Sequence, residues 1–181
     1  MDVWGGESVE GMDQDLQEWQ ESLREVHLPR WEELPNLGLY MDQVITILEH
    51  YLEPVFPEGE KILTPAMINN YVKLKLIPKP DKKKYGREHL AYLVAITILK
   101  QVLTIPEVRD GIVWLAEKVG PKQAYNLFCQ EQERELSALF QPPEGERPAG
   151  TEVLALRMAA RAFASKRMAE KMLELEYTLR Q

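Results

Sequence analysis

A single cysteine, Cys129, excludes an internal disulfide and any thiolate cluster for a soft metal. It lies in AYNLFCQ, an apolar helical stretch, and reads as an inert buried thiol. The three histidines, His27, His50 and His89, are scattered. His50, in EHYLEP, has no second histidine four residues on, so the zinc-protease helix pattern is missing. Glu49, His50 and Glu53 share a helix face that reads as solvated. There is no glycine-rich phosphate loop and no serine elbow, so no catalytic constellation, metal or cofactor is expected. No apolar run approaches the roughly 18 residues that a membrane span needs. The acidic start MDVWGGESVEGMDQDL lacks the basic-then-apolar order of a secretory signal. A cytoplasmic location is the expectation.

What is present is an ordinary globular composition, 45% hydrophobic and 28% charged, with a formal net charge of −7. Residues 1–29 read as a glycine-containing leader followed by a short amphipathic helix from Asp13 to Val26, with Leu16, Trp19, Leu23 and Val26 on one side. LPRWEELPNLGLY is turn-rich and carries Trp31 and Leu34 as packing anchors. A helix is expected from Met41 to Leu52, ended by Pro54 and Pro57. Thr64 and Pro65 mark the start of another, which runs to about Leu74. The run from Arg87 to Leu103 is apolar almost all round, as in a helix buried on most sides. Thr104 and Glu107 have the spacing of a capping box, opening a helix to about Val119. After Gly120-Pro121 a further helix runs to about Phe140; between these later helices Trp114, Tyr125 and Phe128 read either as core or as the wall of a small-molecule pocket. QPPEGERPAG is a linker, and Thr151 opens a long last helix. Its Val153, Leu156, Ala160, Phe163, Met168, Met172, Leu175 and Leu179 form a stripe that fits either its own domain or a dimer seam. No internal repeat and no strand-rich region appears.

Charge is the least evenly distributed property. Lys73, Lys75, Lys79, Lys82, Lys83, Lys84 and Arg87 are opposed over that stretch only by Asp81, a local +6 that leaves −13 for the remainder. At physiological salt the Debye length is about 8 Å, so such a patch stays electrostatically distinct. Immediately before it, Ile68, Tyr71 and Val72 fall on one side of the Pro65–Leu74 helix and Ala66, Asn69, Asn70 and Lys73 on the other. Adjacent asparagines are poor helix formers, and propensity does not explain them. Asparagine can bond adenine N6 and N7 in the major groove, and lysine can meet guanine or a phosphate. The prolines and Asp81 of IPKPDKKKY suit a tight β-turn or hairpin whose Lys79, Lys82, Lys83 and Lys84 would contact phosphates. Tyr85 would pack beneath that turn or donate its hydroxyl to a phosphate.

INNYVKLKLIPKP, KKY and REHLAYLVAITILKQVLTIPEV together resemble the winged-helix DNA-binding region of MerR-type regulators. The matching positions are Tyr71, Leu76-Ile77-Pro78, Tyr85, Leu90, Leu93, Ile96 and Thr104-Ile105-Pro106-Glu107-Val108. The chain departs from that pattern in the some ten residues between Glu53 and Leu63 and in a wing basic through lysines alone. From about Trp31 to Val113, with LYMDQV, LTPAMINNYVK and PKPDKKKY, it also resembles an uncharacterised bacterial family, domain of unknown function 1836, which brings no established activity.

These readings imply a mainly α protein. A MerR-like winged helix-turn-helix core with a small β wing spans residues 30–105, and a helical C-terminal extension, a candidate dimerisation region, spans 106–181. The expected function is double-stranded DNA binding by a homodimeric transcriptional regulator. Its site would comprise Asn69, Asn70, Lys73, Lys75, Lys79, Lys82, Lys83, Lys84, Tyr85 and Arg87. The alternative is a protein-interaction module that takes an acidic partner through the same basic surface.

Overall fold

A computed structural model describes residues 6–57, 59–139 and 151–178. The described chain is mainly helical: α1 (Gly6–Arg24), α2 (Met41–Leu52), α3 (Pro65–Lys73), α4 (Arg87–Leu99), α5 (Ile105–Val119), α6 (Pro121–Ala138) and α7 (Thr151–Thr178). A single 3₁₀ turn, Glu53–Val55, follows α2.

The helix starts follow local chemistry. Thr64 Oγ1 accepts from the Met67 amide at 3.2 Å, and Pro65 occupies the first turn of α3, where its missing N–H leaves nothing unsatisfied. At α5 the Glu107 carboxylate accepts from both the amide and the hydroxyl of Thr104, which holds it below the usual carboxylate range. Between α5 and α6 only Gly120 intervenes, at φ +85°, a conformation in which a side chain would be strained.

α4 is the centre. Leu90, Ala91, Leu93, Val94, Ala95, Ile96 and Thr97 are all buried, so its partners cover nearly the whole circumference. α2 packs on α4 and α3 on α2, α6 covers α4 elsewhere, α5 lies along α6, and α7 rests on α5. α5 and α6 add Val108, Tyr125 and Cys129 to the same core. Each fully buried aliphatic side chain stabilises by roughly 1.5–3 kcal/mol.

Three boundaries differ from the sequence reading. α1 begins at Gly6, within the stretch read as a leader, because extending a nucleated helix is far easier than starting one. Its Trp19 is exposed, whereas Leu23 is buried as expected. α4 stops at Leu99, short of Leu103: the Gln101 and Val102 amides bond three residues back and tighten the chain before the start of α5. The third difference is the wing. Among the described residues the only β pairing is two isolated bridges, Leu39 with Tyr85 and Asp81 with Lys84. Pro78 and Pro80 have no N–H to donate, so the lysine segment cannot extend a ladder. The β wing is reduced to a turn.

The apolar stripe of α7 is also not one seam. Leu156, Phe163, Met168, Met172 and Leu175 are exposed, and the five-residue step from Phe163 to Met168 swings the stripe about 140° round the helix. The side chain of Val153, residue Leu179 and the QPPEGERPAG segment lie outside what is described. Gly111 of α5 explains itself here: a Cβ would stand 3.2 Å from Leu173 of α7.

The loop after α1 is held on α6 by a charged clamp. Glu133 accepts from the Leu28 amide at 2.8 Å and from both terminal nitrogens of Arg30. The Trp31 amide bonds Asn126 at 2.9 Å. The Arg30 guanidinium holds the Glu133 carboxyl below its ordinary range. A depressed carboxyl pKa contributes stability that is present above the unfolded value and lost as pH falls through the folded one. Glu133→Gln should therefore cost about 1–3 kcal/mol at pH 7, as for a charge-assisted hydrogen bond. In urea titrations the gap to the parent chain should begin to narrow as pH falls below the ordinary glutamate value of about 4.3, and close only below the depressed folded value, where Glu133 is protonated.

Candidate nucleic-acid interface

The lysine-rich end begins at the close of α3. There the Leu76 amide bonds the Tyr71 carbonyl at 2.9 Å and the Lys75 amide bonds Val72 at 3.1 Å, with Lys75 at φ +57°. This is a Schellman closure, which normally places glycine at the left-handed position. It reverses the chain so that Leu76 and Ile77 enter the core while Lys75 points its charge away.

The chain then reaches Asp81–Lys84. The Lys84 amide donates to the Asp81 carbonyl at 2.8 Å, and the two central residues, Lys82 and Lys83, have φ +47° and +64°. Two positive φ values in succession define the mirror-image turn that twists with a hairpin and normally selects Asn-Gly. Among the described residues, Lys75, Lys82 and Lys83 are the only non-glycines at positive φ. Such backbone costs on the order of 1 kcal/mol or more per residue. All three strained positions carry lysine, where glycine or asparagine would relieve the strain.

Tyr85 ends the turn by pairing with Leu39: each amide donates to the other's carbonyl, at 2.8 and 2.9 Å. The approach is close, since a Cβ on Gly38 would stand 3.0 Å from both Cβ and Cδ of Lys84. Tyr85 is 3% exposed and meets His89 edge-on at 5.4 Å between ring centres. His89 in turn accepts the Gly86 amide at 3.1 Å, capping α4. Tyr85 is thus the packing anchor beneath the turn, and the reading of its hydroxyl as a phosphate donor does not suit that burial.

The polar residues of α3 are placed as its periodicity implies. Ile68 and Tyr71 are buried, and Ala66, Asn69, Asn70 and Lys73 are exposed. The two side-chain amides make no hydrogen bond within the described chain. Lys73, Lys75, Lys79, Lys82, Lys83 and Lys84 are all exposed, and none is ion-paired among the described residues. Lys84 alone has a local partner, its Nζ lying 5.5 Å from the Tyr40 ring centre. Arg87 behaves differently. Its Nε donates to the Leu34 carbonyl at 3.0 Å, it pairs with Glu32 at 3.3 Å, and its side chain is 19% exposed. It braces the loop before α2, a structural role in place of the phosphate contact expected of it.

Arg109 of α5 was missed by the sequence reading. It shares a groove of about 480 Å³ with Lys73, Lys75 and Lys79. Its place there depends on how α5 folds back beside α3, and its neighbour Asp110 pairs with it at 2.9 Å. Elsewhere, Glu49, His50, Glu53 and Glu60 line a depression near the 3₁₀ turn. Among the described residues no group of three such side chains could hold a metal ion. Burial pushes the Cys129 thiol up to about 11, so it is protonated at neutral pH. No helix among the described residues is long and apolar enough to cross a membrane.

The strain at the turn is directly measurable. Replacing Lys82-Lys83 by Asn-Gly, the pair this geometry favours, should stabilise the chain by about 1 kcal/mol or more in urea denaturation, despite removing two charges. Lower stability in that variant would show that the lysines are not strained.

Comparison with curated proteins and with solved structures finds no match. Residues 29–128, more than half the chain and everything from the clamped loop into α6, match the family described as Domain of unknown function (DUF1836), and the chain belongs to that family.

Proposed function

We propose that the chain binds double-stranded DNA as a transcriptional regulator, working in the cytoplasm. α3 would enter the major groove and the Asp81–Lys84 turn would lie along the backbone, in the manner of a reduced MerR-type wing. The observation that carries this reading is the set of six exposed, unpaired lysines, three of them on left-handed backbone, beside an amide face with no internal partner. Solvated lysines that served only solubility would have no need of strained positions.

Asn69, Asn70 and Lys73 would face base edges, and Lys75, Lys79, Lys82, Lys83 and Lys84 would neutralise phosphates. Regulators of this kind commonly bind as two-fold dimers, because two-fold symmetry matches half-sites about one turn apart. The exposed apolar residues of α7 fall in two patches, Leu156 with Phe163 and Met168 with Met172 and Leu175, and either would offer a contact for a second copy.

With about five phosphates neutralised, log affinity should fall against log salt with a slope of about −4.5. Fluorescence anisotropy of a labelled duplex over a salt series measures this, and a flat response would sink the proposal. Asn70→Ala should flatten sequence preference, at about 1–3 kcal/mol for the base it reads. The Lys82/Lys83/Lys84→Ala triple should weaken all duplexes equally and reduce the slope by about 3. Arg87→Ala should lower the melting midpoint while leaving the slope unchanged, since that side chain is spent on Leu34 and Glu32. If no duplex binds while an acidic protein partner does, the same lysines serve a protein-interaction module instead.

A further inference from the structure

Behind the lysine surface lies a second feature that DNA binding does not use. α4, α5 and α6 form a half-open apolar pocket of about 110 Å³, lined among others by Trp31, Ala95, Leu115, Ala116 and Phe128. An engineered cavity of about 150 Å³ takes benzene, and by volume this half-open pocket suits one small ring or a short alkyl chain. Tyr92 and Ile112 belong both to its wall and to the wall of the groove that holds Lys73, Lys75, Lys79 and Arg109. An apolar chamber therefore shares two half-buried side chains with a cationic mouth.

We propose that cavity and groove form one site for a small aromatic or short-chain carboxylic acid, with its apolar body among α4, α5 and α6 and its carboxylate toward Lys73, Lys75 and Lys79. Charge sets the orientation. The cavity's one acidic neighbour, Glu88 in the first turn of α4, repels a carboxylate at its own position. The groove offers four cations, of which Arg109 is already paired with Asp110 and the three lysines are free. Pockets of this type place most of the ligand against apolar side chains and fix it with a few polar groups. Anions with no apolar body would gain nothing from the cavity, and neutral rings would gain nothing from the lysines.

The site does not depend on the DNA reading, although it draws on Lys73, Lys75 and Lys79, which that reading assigns to bases and phosphates. Calorimetric titration of the full chain with benzoate and with benzamide, a neutral molecule of nearly the same shape, tests it. Benzoate should bind at least tenfold more tightly than benzamide. Lys75→Gln/Lys79→Gln should bring the two close to equality, because both side chains are exposed and their loss leaves the cavity intact. Ala116→Met, which fills the cavity, should weaken both at least tenfold. Toluene, which fits the chamber and carries no charge, should displace benzoate whether or not that variant folds. Equal binding of acid and amide, no binding of benzoate, or benzoate indifferent to toluene would each overturn the proposal. Duplex affinity is read separately on the same protein. Benzoate binding without duplex binding upholds this site and rejects the DNA reading, and duplex binding without benzoate does the reverse.

Discussion

Two backbone hydrogen bonds between Leu39 and Tyr85 hold the lysine-rich end of this molecule together. Leu39 precedes α2, and Tyr85 closes the lysine turn and leads through Gly86 into α4. The pair thus joins the entry to α2 with the entry to the central helix. Both side chains are buried, so the bonds are shielded from competing water. Lys84 lies tight against Gly38 in the same crossing, and His89 seals it by capping α4 and meeting the Tyr85 ring. With this crossing in place the turn has one orientation relative to α3, although no sheet supports it.

The second theme is that positive charge occupies positions the backbone would rather give to glycine or asparagine. Lys75 closes α3, and Lys82 and Lys83 are the two central residues of the Asp81–Lys84 turn. Functional surfaces often hold backbone in sparsely populated regions, where surrounding packing enforces it. Here the enforcement comes from buried Tyr71, Leu76 and Ile77 on one side of the lysines and from Tyr85 on the other. The anchors are apolar and interior; the charges they present are exposed.

Helix identity was largely legible in the amino-acid order because the signals are local. Thr64-Pro65, the Thr104–Glu107 box and the Gly120-Pro121 junction each specify hydrogen bonds within one turn of chain. The exposed face of α3 followed from a 3.6-residue period alone. The wing did not follow, because whether a hairpin extends depends on amides that Pro78 and Pro80 lack and on a partner strand that a ten-residue motif cannot supply. Arg87 was misassigned for a related reason: its position in a basic run is visible, but the Leu34 carbonyl that captures it lies 53 residues away.

By itself the sequence determined most of the helices, the caps at Thr64 and Thr104, the buried side of α3 and the concentration of lysine in one stretch. These depend on spacing and on contacts within a few residues. Only the tertiary structure decided that Lys75, Lys82 and Lys83 sit on left-handed backbone, that Tyr85 is an anchor, and that Arg109 joins the groove of Lys73 and Lys79. It also decided that α4, α5 and α6 leave an apolar chamber beside that groove. Those features arise where segments distant in the chain come to share one volume, and packing in that volume selects geometries that local preference disfavours.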